Sequence, residues 1–248
     1  MVFLPKPSHA TGVWERQGLP PWRPITVQSS LATRLLTAIS CYLETRVPNH
    51  PMQHGFQRDK NVQDAALATT LLLDRAVLRK EPLYLLSKNC EKCYDRIPRW
   101  VMAYIYKRIG VPKLLYDILM GFLGPGEIDI RTAFGWVSSG TREFGLGQGS
   151  VLSIRHIGYY MDVLMQRQDQ GPDAVIITHS QGAEPHQIAS TVLVDDVIDV
   201  ATTRSGIEHR VAVSNVFTGI HGTGGVFGAS KSFLLQYTPT ERSASATV

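Results

Sequence analysis

The sequence contains few cysteines. Its 248 residues include three, Cys41, Cys90 and Cys93. A small, odd number in a chain of this length argues against a disulfide framework and for a reducing compartment. Cys90 and Cys93 form a C-x-x-C pattern, but zinc needs two more ligands, and no second paired Cys or Cys/His motif supplies them. We therefore expect these two thiols to be buried rather than bound to a metal.

Long apolar runs are also missing. No run approaches the roughly 20 residues that a membrane-spanning helix needs. The first residues, Met1 to Pro7, have no apolar core long enough for a signal peptide. From these features we expect an intracellular protein without a membrane partner. The sequence does not distinguish nucleus from cytoplasm.

Charge is sparse and only slightly unbalanced. Charged residues make up 19% of the chain and hydrophobic residues 44%, which is typical of a folded globular protein rather than a disordered one. The net charge is +4 and the sequence pI is about 9.0. This mild excess of positive charge permits a polyanionic partner but does not require one.

The hydrophobic pattern mixes helical and strand periods. A first helix is predicted after Ser29 or Ser30, with one apolar face made of Leu31, Leu35, Ile39 and Leu43. Further helices are predicted at about residues 62–80, 98–109, 113–123, 150–168 and 207–217, and strands at 83–87, 128–134, 174–179, 188–200 and 233–237. The pattern indicates an α+β fold, with irregular structure before Arg23.

Two adjacent carboxylates interrupt the apolar stretch at residues 190–200. Asp195 and Asp196 stand between β-branched runs, so the stretch predicts a hairpin with both acids at its turn. Neighbouring like charges are unfavourable unless a positive charge offsets them, and a hard cation such as Mg²⁺ takes carboxylate oxygens. Asp is also common in solvated turns, and this stretch by itself favours that interpretation.

Seven short motifs occur along the chain. They begin at Phe3, Arg23, Gln53, Asn89, Gly147, Val194 and Lys231. In this order and spacing they resemble the reverse transcriptases of non-LTR retrotransposons and, more distantly, of group II introns. The resemblance implies the right-hand polymerase fold, with fingers at residues 1–82 and an antiparallel palm sheet with packed helices at residues 83–239. It further implies a fingers hairpin inserted at residues 126–145, a disordered tail at residues 240–248 and no complete thumb.

The resemblance implies a catalytic site with one departure. Family members transfer nucleotides with two Mg²⁺ ions about 4 Å apart, held by carboxylates from two strands. Asp195 and Asp196 match the hairpin pair and are the expected metal ligands, for Mg²⁺ or alternatively Mn²⁺. The first metal-ligand position of the family matches Asn89, which brings no negative charge. Because losing one electrostatic stabiliser costs roughly 10²–10³ in rate, we expect impaired catalysis.

Five residues match nucleotide-binding positions of the family. Tyr94 matches the aromatic residue under the sugar that selects deoxyribose, and Gln148 matches the residue along the incoming nucleotide and template base. Arg58 and Lys60 match fingers cations at the triphosphate, and Lys231 matches a proposed proton donor to pyrophosphate. The residues themselves favour a core aromatic for Tyr94 and a solvated surface charge for Lys231. For Arg58 and Lys60, a surface charge and a triphosphate contact have similar weight.

The resemblance implies a retroelement domain that acts as an RNA-directed DNA polymerase. Its expected ligands are deoxynucleoside triphosphates, an RNA template and a DNA primer; nothing indicates the oligomeric state. One alternative is a catalytically dead nucleic-acid-binding remnant, favoured by Asn89 and the missing thumb. A second is an unrelated Mg²⁺-dependent hydrolase using Asp195 and Asp196, which has no need of the ordered fingers motifs. The polymerase interpretation requires Asn89 to end a strand beside the hairpin, with Gln148 and Tyr94 bordering the same cleft.

Overall fold

Two compact units make up the described chain. The structure, a computed structural model, describes residues 1–5, 22–142, 145–178, 184–219, 222–239 and 245–247. The first unit consists of Met1–Arg46 and Tyr94–Arg155, and the second of Val47–Cys93 and His156–Val248. The predicted boundary at residues 82 and 83 falls inside the second unit, so the assignment of fingers and palm stays a prediction. Among the helices of these described ranges, none is long and apolar enough to cross a membrane.

The elements follow the predicted mixture of helices and strands. In chain order they are β1 (Val2–Pro5), β2 (Trp22–Ile25), α1 (Ser30–Arg46), α2 (Val62–Arg79), β3 (Leu83–Asn89), α3 (Cys93–Arg96), α4 (Arg99–Arg108), α5 (Lys113–Leu123), β4 (Gly126–Thr132), β5 (Gly135–Arg142), α6 (Val151–Asp169), β6 (Val175–Ile177), β7 (His186–Ile188), β8 (Ser190–Leu193), β9 (Asp196–Ala201), α7 (Arg204–Thr218), β10 (Phe233–Tyr237) and β11 (Ser245–Thr247). The predicted α+β class is confirmed. Of the stretch predicted to be irregular before Arg23, Val2–Pro5 instead forms β1 and pairs with β2, and residues 6–21 lie outside the described residues.

Helix α1 buries only part of the apolar face predicted for it. Ile39 and Leu43 are buried as predicted, whereas Leu31 and Leu35 are 78% and 46% exposed. Leu36 and Ser40 are buried in addition. Buried Arg155 packs against this face, donating to Ser40 Oγ at 3.3 Å and pairing with Glu44 at 2.6 Å.

The second unit is built on a five-stranded antiparallel sheet. Its strand order is β11-β10-β3-β9-β8. Helix α2 contributes to the apolar core on one side of the sheet, whose buried members are Leu72, Ala76, Leu83, Leu85, Val175, Ile188 and Val200. Strand β3 lies at the centre, as its apolar sequence predicts, and its last residue is Asn89.

Strand β11 corrects the prediction of a disordered tail. Ser245, Ala246 and Thr247 pair with β10, whereas residues 240–244 and 248 lie outside the described residues. Small polar residues carry little strand signal of their own. The edge of β10 nevertheless offers unpaired backbone groups, and pairing with them does not depend on the side chains.

A buried ion pair joins the two central strands of the sheet. Lys88 of β3 pairs with Asp199 of β9, and the two residues are 5% and 0% exposed. The Lys88 ammonium also donates to Ser214 Oγ of α7 at 2.5 Å. Burial raises the pKa of Asp199, and the neighbouring Lys88 charge opposes that rise. Such a pair depends on both partners being present, because either charge left by itself would be buried without compensation.

Replacing Lys88 tests whether the pair affects the free energy of unfolding mainly because a buried charge left without its partner is destabilising. We expect Lys88→Met to lower the free energy of unfolding by about 3–5 kcal/mol, because Asp199 is left buried and unpaired. The double variant Lys88→Met/Asp199→Leu should regain most of this loss. Urea denaturation measures both. A double variant as unstable as the single one would contradict the explanation.

A second buried carboxylate, Asp162 of α6, holds the loop that precedes α2. Its Oδ2 accepts a hydrogen bond from Asn49 Nδ2 at 2.9 Å, and the backbone N–H of His50 donates to the same carboxylate. Burial raises the pKa of Asp162 to about 6, although these hydrogen bonds and the charges of His50 and Lys60 oppose the rise. The loop at residues 49–60 is therefore tied to a helix through a group that titrates in mildly acidic solution.

Asp162 predicts a pH-dependent stability. Its folded-state pKa is above the ordinary value of 3.8. The folded state therefore binds the proton more tightly, and stability falls as the pH rises from about 4 to about 6. Relative to Asp162→Asn, we expect the natural chain to lose up to roughly 3 kcal/mol between pH 4 and pH 7 in urea denaturation. Asp59→Asn, at a 91% exposed carboxylate, serves as the control. A parallel pH dependence of the Asp162→Asn variant and the natural chain would refute this.

Candidate functional site

The two adjacent acids lie at the end of a β-hairpin. Strands β8 and β9 pair antiparallel, and their last pair is Leu193 with Asp196. The turn consists of Val194 and Asp195, and Asp196 is the first residue of β9. The predicted hairpin is confirmed, but only Asp195 occupies the turn itself. Asp195 is half-buried and Asp196 is exposed.

Asn89 lies directly beside this hairpin. It ends β3 and is the cross-strand partner of Asp196 on β9. Its Nδ2 donates a hydrogen bond to Asp196 Oδ1 at 2.5 Å. Directly opposed residues of an antiparallel pair project from the same face, so the sheet brings together side chains that lie 107 positions apart. The predicted position of Asn89 at a strand end beside the hairpin is confirmed.

The turn residue Val194 has an unfavourable backbone conformation. Its φ is 66°, in the left-handed region. A β-branched residue rarely adopts this region, because its Cβ substituents collide with the backbone there. Such strain persists only where the surrounding structure holds it.

A loop from residues 52–55 runs alongside the hairpin. The Met52 carbonyl accepts from the Val192 N–H at 2.9 Å, and the His54 N–H donates to the Val192 carbonyl at 2.7 Å. The side chain of Gln53 extends to Val194, with Oε1 accepting from its N–H at 3.0 Å and Nε2 donating to its carbonyl at 3.2 Å. The sequence shows the motif that begins at Gln53. The motif does not predict which backbone groups form hydrogen bonds with the Gln53 side chain.

The two predicted triphosphate cations differ in their surroundings. Arg58 is 84% exposed and lies 3.7 Å from the carboxylate of Asp59. The ammonium of Lys60 instead donates to the carbonyls of Pro51 and Gln53. Burial lowers the pKa of Lys60. Arg58 therefore extends into solvent, whereas Lys60 stabilises the loop that contacts the hairpin.

Lys231 lies on a segment that is hydrogen-bonded to the end of β3. The Gly228 N–H donates to the Asn89 carbonyl at 3.0 Å, and the Glu91 N–H donates to the Val226 carbonyl at 2.7 Å. A short 3₁₀ turn follows at Ala229–Lys231, where Lys231 is exposed. The second unit thus joins the hairpin acids, Asn89 and the segment bearing Lys231.

Tyr94 and Gln148 belong to the first unit. The Leu146 N–H donates to the Tyr94 carbonyl at 2.6 Å, and the Thr26 N–H donates to the Gln148 carbonyl at 2.7 Å. Gly145 has a φ of 77°, and a Cβ there would lie 2.7 Å from the Tyr94 carbonyl oxygen. Only glycine fits this close approach. The cleft predicted to contain these residues and the carboxylates stays a prediction.

The donor set at the hairpin is short of carboxylates. Across the described ranges, no three His, Cys, Asp or Glu side chains are grouped so as to hold a metal ion. Asp195, Asp196 and the Asn89 amide offer hard oxygen donors, which suit Mg²⁺ or Mn²⁺ rather than a soft metal. Cys90 and Cys93 are buried, as predicted.

Comparison with known proteins identifies similar sequences and folds. No protein-family model matches the chain. The chain is 29% identical, over 152 residues, to the retrovirus-related Pol polyprotein from type-1 retrotransposable element R2 of Popillia japonica. That alignment covers 58% of this chain and 20% of the polyprotein. The chain therefore spans about one fifth of the length of this relative.

Telomerase structures share the fold. Apo telomerase from Candida tropicalis has a TM-score of 0.55 and 12% identity, covering 88% of this chain and 40% of that one. Telomerase from Candida albicans, in complex with a TWJ fragment of telomeric RNA, has a TM-score of 0.54 and 13% identity, covering 88% and 38%. The resemblance predicted from the motifs is confirmed: the chain carries a reverse-transcriptase-like domain, similar in sequence to a retrotransposon Pol polyprotein and in fold to telomerase.

Proposed function

We propose that this domain is an RNA-directed DNA polymerase of a retroelement whose catalytic centre is impaired by Asn89. One observation carries the proposal: Asn89 ends β3 and pairs with Asp196, so the first metal-ligand position of the motif pattern and an acid of the hairpin meet on one sheet face. The sequence likeness to a retrotransposon Pol polyprotein supports the same assignment. The unrelated-hydrolase alternative accounts for neither observation.

In this proposal Asp195 and Asp196 hold Mg²⁺ or Mn²⁺. A divalent cation held by these residues would supply Lewis-acid chemistry to the attacking 3′-hydroxyl of a primer and to the leaving pyrophosphate oxygen. Asn89 contributes an uncharged amide, and its Nδ2 engages one oxygen of Asp196. The site therefore has one negative charge fewer than the family pattern and one carboxylate oxygen already hydrogen-bonded. Both effects weaken cation binding.

The remaining residues serve the incoming deoxynucleoside triphosphate. Tyr94 excludes a 2′-hydroxyl, and Gln148 lies along the nucleotide and its template base. Arg58 meets the triphosphate, because its exposed guanidinium is well suited to bidentate phosphate contacts. Lys60 would first have to leave its carbonyl partners, so its contribution is smaller. Lys231 donates a proton to the pyrophosphate.

The partners follow from this assignment. An RNA template and a DNA primer form a duplex that the domain holds mainly through its phosphate backbone. Because the net charge is only +4, we expect binding to be weak and to fall as salt rises. A nucleic-acid-binding remnant without catalysis is the second candidate, and the contact between Asn89 and Asp196 is the observation that favours it.

Restoring the missing carboxylate tests the proposal. We expect Asn89→Asp to raise primer extension on an RNA template, with Mg²⁺ or Mn²⁺, on the order of 10²-fold, because Asn and Asp are almost isosteric and only the charge changes. Asn61→Asp is the matched control, since either residue caps α2. Inactivity of both the natural chain and Asn89→Asp would favour the binding remnant. Full activity of the natural chain would show that the assigned role of Asn89 is wrong.

Substitutions of Arg58 and of Lys60 should affect different properties, deoxynucleotide binding for Arg58 and stability for Lys60. We expect Arg58→Ala to weaken deoxynucleotide binding about tenfold, as loss of one charge-assisted bond does, while the unfolding temperature is unchanged. Lys60→Ala should lower the unfolding temperature, because two loop carbonyls lose their donor. Arg79→Ala, at an exposed arginine of the same unit, is the control. Isothermal titration and thermal unfolding measure these effects. An Arg58→Ala effect confined to duplex binding would place Arg58 in the duplex groove instead.

A further inference from the structure

The buried side-chain amide of Gln53 forms two hydrogen bonds to the backbone of Val194, in the turn of the β8–β9 hairpin. Gln53 is 0% exposed. Its Oε1 accepts from the N–H of Val194, and its Nε2 donates to the carbonyl of Val194. Oε1 also accepts from the Gly55 N–H at 2.8 Å, which fixes the orientation of the amide. One side chain thus satisfies both backbone polar groups of a single turn residue.

Val194 is the turn residue that needs such support. The β8–β9 ladder ends at the pair of Leu193 and Asp196, so the N–H and carbonyl of Val194 lie beyond it. Backbone groups near a protein interior require partners, and Gln53 supplies both. The φ of 66° adds a second reason, because a β-branched residue keeps this conformation only when its surroundings impose it.

The backbone of the same loop fits closely against the turn. A Cβ at Gly55 would lie 2.4 Å from the Val194 nitrogen and 2.6 Å from its Cγ2. Distances this short leave no space for any side chain larger than hydrogen. The backbone bonds of Met52 and His54 to Val192 hold the loop in register with β8. Side chain and backbone therefore constrain Val194 together.

We propose that Gln53 is a positioning residue for the carboxylates of Asp195 and Asp196, a role that rests on the proposed function. Gln53 acts through the Val194 backbone, which sets the direction of the chain into Asp195 and then into β9. Magnesium demands near-ideal octahedral geometry, so a turn that changes conformation holds the cation less well. Partners that orient metal ligands in this way typically contribute 10–100-fold to metal affinity.

The two hydrogen bonds to the Val194 backbone require a glutamine amide at position 53. They need an acceptor and a donor at the end of one side chain, which glutamine provides. Methionine has a similar length and shape but lacks the N–H donor. Asparagine keeps the amide but is one methylene shorter, so it cannot reach Val194 from the same backbone position. Both substitutions release the turn without adding charge near the carboxylates.

The test compares Gln53→Met with Gln168→Met. Gln168 is also 0% exposed and lies in the same unit. Its Nε2 donates to the Arg210 carbonyl at 3.1 Å and to Ser214 Oγ at 3.2 Å. The same substitution there removes comparable core hydrogen bonds and leaves those of Val194 in place. For each protein, Mn²⁺ affinity is measured by electron paramagnetic resonance, amide exchange at Val194 by NMR, and stability by thermal unfolding.

We expect Gln53→Met to weaken Mn²⁺ binding about tenfold and to accelerate exchange of the Val194 amide. Gln168→Met should leave Mn²⁺ affinity within about twofold of the natural chain at a similar loss of stability. Equal Mn²⁺ affinities for the two variants would overturn the role of Gln53. Should Gln53→Met not fold, Gln53→Asn is measured against the same expectations.

Mn²⁺ affinity and amide exchange at Val194 distinguish a failure of the proposed function from a failure of the role of Gln53. A natural chain and an Asn89→Asp variant that both bind no Mn²⁺ would overturn the proposed function. Unchanged exchange at Val194 in Gln53→Met would overturn the role of Gln53, whatever the metal result.

Discussion

The register between β3 and β9 is the constraint on which the candidate site depends. It places Asn89 opposite Asp196 and, on the reverse face, brings Lys88 to Asp199. A slip of one residue would move every side chain of one strand to the other face. The buried ion pair opposes such a slip, because either charge would then lose its partner in a region without water. The same pairing thus fixes the core and the position of the acids.

A series of hydrogen bonds connects the buried carboxylate of Asp162 to the turn of the hairpin. Asp162 of α6 holds the start of the loop at residues 49–60, and Lys60 bonds two carbonyls within it. The same loop carries Gln53 to the strained backbone of Val194. The turn that bears the acids is consequently held by a loop that is distant in sequence, since Gln53 and Val194 are 141 positions apart.

Most elements were predictable because their signals are local. Helix α5 and strand β10 begin and end where Pro112, Gly124 and the apolar run at 233–237 indicate. Three features were not predictable, because each depends on a partner distant in sequence. The buried face of α1 packs against Arg155, β11 forms on a free strand edge, and the contact of Gln53 with Val194 spans 141 positions. The meeting of Asn89 and Asp196 was predictable only through the family resemblance, since nothing local links the two residues.

Anomalous diffraction from Mn²⁺-soaked crystals tests most directly whether Asn89 occupies a metal-ligand position of a reverse-transcriptase-like site. We expect a weak anomalous peak at coordination distance from Asp195 or Asp196 in the natural chain. In Asn89→Asp we expect a stronger peak that the new carboxylate also contacts. Mn²⁺ bound away from the hairpin in both proteins, or a peak that is unchanged by the substitution, would contradict this role of Asn89.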